Sequence, residues 1–522
     1  MAHALPFVHN AGNDARGDMS QHPAVLVIGL DAADQGLIER WAKDGLLPTF
    51  QRLLAEGVSG RVLGPLGIHA TAAWESLVTA VSPARHARHS ERQIRPRTYN
   101  TYRFLPTHLR REAFWEALNR AGRRSAIIDV PYVPLARMNG VHVLDWTAHA
   151  ANTGFCTWPP TLADAIRQDF GTDPIGLCDH WRLDSTEEFR RFRDQLIARV
   201  RTKIELCREL LDYEAWDLFF AVFTEAHCIG HQCWSLHDPM HPRHDAALAR
   251  QLGDPMLDVY QALDSAVAAL LERAGPQTTA FVIASHGMGP YYNGAHLLDA
   301  ILHGLGHTPP PTPPHWLWQI LRWGWRKVPI DWRLRLAPRQ KRVVDRLWPP
   351  LDRRSTCFNV PNGEVWGAIR VNVAGREPEG CIKAGADLER FCDTLAQDFL
   401  DLVNVDTGLA AVLSVRRTRD LYQGPYFDDL PDLLIEWNTA APLNAVSSAK
   451  LRTIRVPFEH PRSGHHTRQG LFVAQGPHLA PEQLAEPVSI MDLAPTLTAL
   501  LGVHLPDVDG RPIAACTRSG EA

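Results

Sequence analysis

Three apolar runs of strand length in this chain each stop on a side chain that binds protons or metals. Ala24-Val-Leu-Val-Ile-Gly-Leu ends on Asp31, and Thr279-Ala-Phe-Val-Ile-Ala ends on Ser285 and His286. Between them, Trp216-Asp-Leu-Phe-Phe-Ala-Val-Phe leads into Thr-Glu-Ala-His, with His227 and then His231. Nearly continuous apolar runs of this length read as buried strands. Open α/β sheets place their chemistry just beyond the carboxyl ends of such strands. The recurrence therefore predicts an α/β fold with Asp31, His227, His231 and His286 gathered at one edge.

Each residue also has an ordinary reading. His227 and His231 converge on an ion if the segment after the strand turns helical, since neutral imidazoles are common zinc ligands. They are otherwise two loop histidines in a chain that has 25. Asp31 is either a ligand, because a carboxylate buried after a strand needs compensation, or the N-cap of an amphipathic helix from Gln35. Thr71 follows a Gly- and Pro-containing loop and precedes a helix-like segment. There it is a cap, or a nucleophile at a helix start where exposed amides favour an anion.

Composition narrows the class. The chain has 522 residues, enough for one large domain with insertions or for two. A net charge of −4 leaves no footprint for a nucleic acid polymer. Nine cysteines without paired spacing read as reduced thiols in a cytoplasmic protein. Residues 1–22 read as a disordered leader and 517–522 as a tail, and no run is apolar enough to span a bilayer.

Elsewhere, residues 186–213 predict a charged, periodic helix. Thr308-Pro-Pro-Pro-Thr-Pro-Pro314 is a stiff linker opening a Trp- and Arg-rich stretch over 315–348. That stretch reads as a lid over an anionic substrate, a peripheral lipid contact, or a helical insertion with its Trp side chains packed inward. A strand begins near Val365, a helix covers 387–404, and further strands fall at 410–416 and 432–437. Arg462-Ser-Gly-His-His-Thr-Arg-Gln-Gly470 puts His465 and His466 in a loop before another strand, and a helix over 489–502 closes the chain.

Taken in order, Val27-Ile-Gly-Leu-Asp31, Ala73-Trp-Glu-Ser-Leu-Val-Thr79, Ser285-His-Gly-Met, Arg370-Val-Asn, Gly375-Arg-Glu-Pro-Glu-Gly380, Pro431-Asp-Leu-Leu-Ile and Asp492-Leu-Ala-Pro-Thr-Leu resemble the type I phosphodiesterase/nucleotide pyrophosphatase family of the alkaline phosphatase superfamily. The resemblance covers about residues 23 to 515. It implies a mixed sheet sandwiched between helices, with cap or lid insertions, and a site of two metal ions, usually zinc, at the strand ends. A catalytic domain would then occupy 23–305 and 356–516, with insertions over about 90–200 and 306–355. Asp31 matches the first aspartate ligand, His231 the histidine of an Asp-x-x-x-His pair, His286 that of Asp-His-Gly, and His466 the late histidine ligand.

The chain departs from that pattern in three places. His227 replaces one aspartate ligand and Ser285 another, and the family's nucleophile position, four residues before Trp74, holds Ala70, with Thr71 one residue off. A set of His227, His231 and His466 suits one zinc ion, whereas Asp31, His286 and Thr71 make a poorer second position. Glu225, Asp238, Ser285 and His465 are near enough in sequence to compensate.

The expectation is a metal-dependent hydrolase of a small phosphodiester or related anionic ester, holding one or two zinc ions or manganese. Thr71 or a metal-bound hydroxide would attack. The alternatives are a degenerate family member that binds an anion without catalysis, and a transferase to an alcohol acceptor. The ester type and oligomeric state are not legible from the sequence.

Overall fold

The computed structural model describes residues 24–517 except 69, 71, 148–153, 179–180, 182, 311–323, 326–327, 329–331, 333–335, 337–347, 363–365 and 459. The elements that build the site, in chain order, are β1 (Val25–Leu30), α1 (Gln35–Lys43), β2 (Val58–Leu63), α2 (Ala72–Thr79), β3 (Ser125–Ile128) and β4 (Gly140–Leu144). They continue with α3 (Thr186–Tyr213), β5 (Leu218–Phe223), α4 (Glu225–His237), α5 (Pro255–Ala274), β6 (Thr279–Ile283), β7 (Gly287–Pro290), β8 (Gly464–Thr467) and β9 (Gln469–Gln475).

β1 is the axis of the main sheet. It pairs in parallel with β5 on one side and β6 on the other, with Leu30 level with Phe223 and Gly29 level with Ile283. The three predicted apolar runs are thus adjacent strands whose carboxyl ends finish side by side. Outward from β5 lie β3 and β4, both parallel; outward from β6 lie β9 and β2, with β9 antiparallel to both neighbours. The sheet is mixed, and helices cover both faces.

Alternation along β1 explains its unbroken apolar sequence. Leu26, Ile28 and Leu30 pack into a core with Phe192 and Leu206 of α3, Ile229 of α4 and Val259 and Val267 of α5. Val25 and Val27 point to the opposite face, where Trp74 and Leu77 of α2 and Leu497 meet them. Fully burying one such aliphatic side chain stabilises the fold by about 1.5–3 kcal/mol. A smaller antiparallel sheet, in the order Cys357–Asn359, Trp366–Val371, Leu433–Trp437 and Val412–Arg417, adds a second core that includes α-helix Ala386–Leu400.

The helix expected over 186–213 spans Thr186–Tyr213, its start held by the Ser185 side chain accepting from the Glu188 amide. Four expectations need correction. Asp31 is not the cap of the first helix; Asp34 is, its carboxylate accepting from the Leu37 amide. His465 and His466 lie in β8, paired antiparallel with β7, and not in a loop. The helix predicted to reach 404 ends at Leu400, because Val403–Asn404 turns back to pair with Ala445–Ser447. Residues 90–200, expected as an insertion, give β3, β4 and Cys156–Trp158 to the main sheet. The leader, Thr71 and nearly all of the Trp- and Arg-rich stretch lie outside the described residues. Among the described residues no helix is long and apolar enough to cross a membrane.

Candidate metal centre at the strand ends

α4 begins two residues after β5 ends, so His227 and His231 sit one turn apart on one face. Their Nε2 atoms are 3.2 Å apart, and His231 Nε2 is 3.1 Å from His466 Nε2. All three side chains are buried. His466 arrives from β8, where it stands opposite Met288 of β7.

Two glycines permit this convergence. A Cβ on Gly464 would collide with the Gly230 carbonyl oxygen, and a Cβ on Gly230 would come within 2.7 Å of Met288. Their absence lets the backbones of α4 and β8 touch, and the Gly464 carbonyl then accepts from His231 Nδ1 at 2.7 Å. With Nδ1 donating, His231 turns the lone pair of Nε2 toward its two partners. Burial, followed by the neighbouring His286, His231, His227 and His465, holds the His466 pKa well below the ordinary histidine range. His466 is therefore held in its uncharged, nitrogen-donor form.

The other half of the site is built differently. Asp31 leaves β1 with its amide bonded to the Phe223 carbonyl, and its Oδ1 accepts from Trp74 Nε1 at 2.8 Å. That same oxygen is 3.9 Å from His286 Nε2. Burial raises the Asp31 pKa to about 7, the Trp74 hydrogen bond opposes this, and the nearby Glu225 charge adds to it. The Ser285 hydroxyl lies 2.8 Å from His286 Nδ1 and orients that ring. The rings of His286 and His466, 4.5 Å between centroids, join the two halves.

The compensating residues differ in what they offer. Glu225 Oε1 accepts from Arg199 Nε at 2.7 Å, while its buried Oε2 has no hydrogen bond among the described residues. Asp238 is the C-cap residue of α4 and accepts from the Met240 amide. The His465 ring lies beside that of His466, with centroids 5.0 Å apart, and stacks on Tyr291 with centroids 4.3 Å apart. Ala70, at the position where the resemblance placed a nucleophile, lines a small cavity with Ser285, His286, Thr467 and Arg468.

Sequence reasoning missed four contributors. Trp74 was a motif residue with no assigned role, yet its indole holds Asp31. Gly230 and Gly464 were signalled only by their position beside histidines. Arg462, whose Nη1 is 3.4 Å from His231 Nε2, was visible as the cation ahead of the histidine pair.

Parallel strands ending in a histidine cluster, on a mixed sheet between helices, define an alkaline-phosphatase-like hydrolase fold. The model of the type I phosphodiesterase / nucleotide pyrophosphatase family matches residues 25–370, and the chain belongs to that family, a family of phosphoric ester hydrolases. Among solved structures it is similar to phosphonoacetate hydrolase from Sinorhizobium meliloti 1021, in complexes with phosphonoformate and with phosphonoacetate. Each matches at 13% identity and a TM-score of 0.50, covering 92% of this chain and 96% of the other. Human ectonucleotide pyrophosphatase / phosphodiesterase 5 matches at 11% identity and a TM-score of 0.46, covering 93% and 97%. No curated protein matches in sequence.

Proposed function

We propose that the chain is a metal-dependent hydrolase of a phosphodiester or related anionic ester, centred on His227, His231 and His466, with water as the attacking group. The spacing of the three histidines carries this reading. Two nitrogens bound to one tetrahedral zinc ion at 2.0–2.1 Å are about 3.3 Å apart, and the observed separations are 3.2 and 3.1 Å. The donor set fits a zinc-class ion with little movement. The buried carboxylates of Asp31 and of Glu225, whose Oε2 has no hydrogen bond among the described residues, suit a cation nearby.

An ion held there would supply Lewis acidity toward a phosphoryl oxygen and lower the pKa of water. The residues do the rest. His231, fixed through Gly464, and His466, fixed by β8, hold the donors in place. Arg462 offers a guanidinium for the non-bridging oxygens of an anionic ester. Attack of water on phosphorus breaks the ester P–O bond, and the departing oxygen takes up a proton. Water is the attacking group in this reading, and Ala70 lines the cavity beside Ser285 and His286.

The test is hydrolysis of bis-p-nitrophenyl phosphate by protein stripped with chelator and then reloaded. Activity lost on stripping and restored by zinc or manganese in wild type, but not in His231→Ala, is the expected result. Full activity in the stripped protein would overturn the reading.

A further inference from the structure

We propose that Cys178, His227 and Cys228 form a second cation site, for a thiophilic zinc-class ion, which shares His227 with the three-histidine set. One ligand atom from each of the three lies within 4.8 Å of the other two, and all three residues are buried. Two sulfurs on one tetrahedral zinc at 2.3 Å are about 3.8 Å apart, so side-chain rotation closes the remaining gap. Thiolate with imidazole is a donor set that selects soft and borderline ions over magnesium or calcium.

The frame around the thiols is built. Gln232, on α4 one turn beyond Cys228, donates from Nε2 to the Cys178 carbonyl at 3.1 Å and ties that loop to the helix. Arg199 Nη2 is 3.7 Å from Cys228 Sγ, and the same guanidinium meets Glu225 at 2.7 Å and Asp173 at 3.3 Å. Thiolate donors predominate in closed structural zinc sites, whereas three histidines with an open fourth position are a catalytic set.

This inference does not depend on the hydrolase reading, and its test is blind to a histidine-only ion. Chelator-stripped full-length protein, kept reduced with a phosphine, is titrated with cadmium while thiolate-to-metal charge-transfer absorption is recorded. Wild type should develop the band at one ion per chain, Cys178→Ser and Cys228→Ser should lose it, and His231→Ala should keep it. The last variant shows that a change in this neighbourhood can fold and still bind. No band in reduced wild type, or a band that survives Cys228→Ser, would overturn the proposal.

Discussion

The two halves of the site share β1, β5 and β6 as their platform, yet they are equipped unequally. On one side, the Nε2 atom of His231 stands 3.2 Å from that of His227 and 3.1 Å from that of His466, and a backbone carbonyl fixes the tautomer of His231. On the other, Asp31 and His286 remain 3.9 Å apart, with Ser285 and Ala70 where the family resemblance implied a carboxylate and a nucleophile. In the reading proposed above, the first half lacks only its ion, whereas the second offers a single carboxylate, Asp31, beside His286.

The largest expected effect is on the strong half. His466→Ala should bring phosphodiester hydrolysis below detection while a thermal melt shows a folded protein; retained turnover would mean that the reaction runs elsewhere. Gly464→Ala attacks the same half through its backbone. Its Cβ would collide with Gly230, so overpacking should cost about 1–3 kcal/mol in denaturant unfolding and weaken zinc uptake. A variant with wild-type affinity would show that the close approach of α4 and β8 is not what sets the ligands.

The weak half can be strengthened. Ser285→Asp restores a carboxylate beside His286, and elemental analysis should find one more ion per chain than in wild type. Unchanged content would locate the deficit in something other than charge. Thr71→Ala asks whether the nucleophile is water. Deleting a true nucleophile costs on the order of 10⁶-fold in kcat, whereas water attack leaves turnover within a small factor of wild type. The smallest effect belongs to Trp74→Phe. It takes the indole donor from buried Asp31 and should cost about 1–3 kcal/mol of stability with little change in zinc affinity.

What the sequence made legible follows the same division. The three central strands announced themselves because burial on both faces forces nearly continuous apolar runs. His227 and His231 followed from helical spacing after such a strand. His466 was reached only through family resemblance, and its local structure was misread as a loop. β7 and β8 are four residues each, form a two-stranded pair, and carry no apolar run to betray them. The role of Asp34 as cap, three residues past Asp31, was hidden because both are aspartates near one helix start. Strands β3 and β4 went unassigned to the sheet because their neighbours are distant in sequence: β3 pairs with β5 some ninety residues on. The approach of Cys178 to His227, about fifty residues apart in the chain, has no local signature at all.

The inequality of the two halves is tested most directly by anomalous diffraction at the zinc edge, from crystals of zinc-loaded protein. The account expects a strong peak about 2.0–2.1 Å from one nitrogen each of His227, His231 and His466, with no comparable peak between Asp31 and His286. Peaks of equal height in both places, or none beside the three histidines, would contradict it.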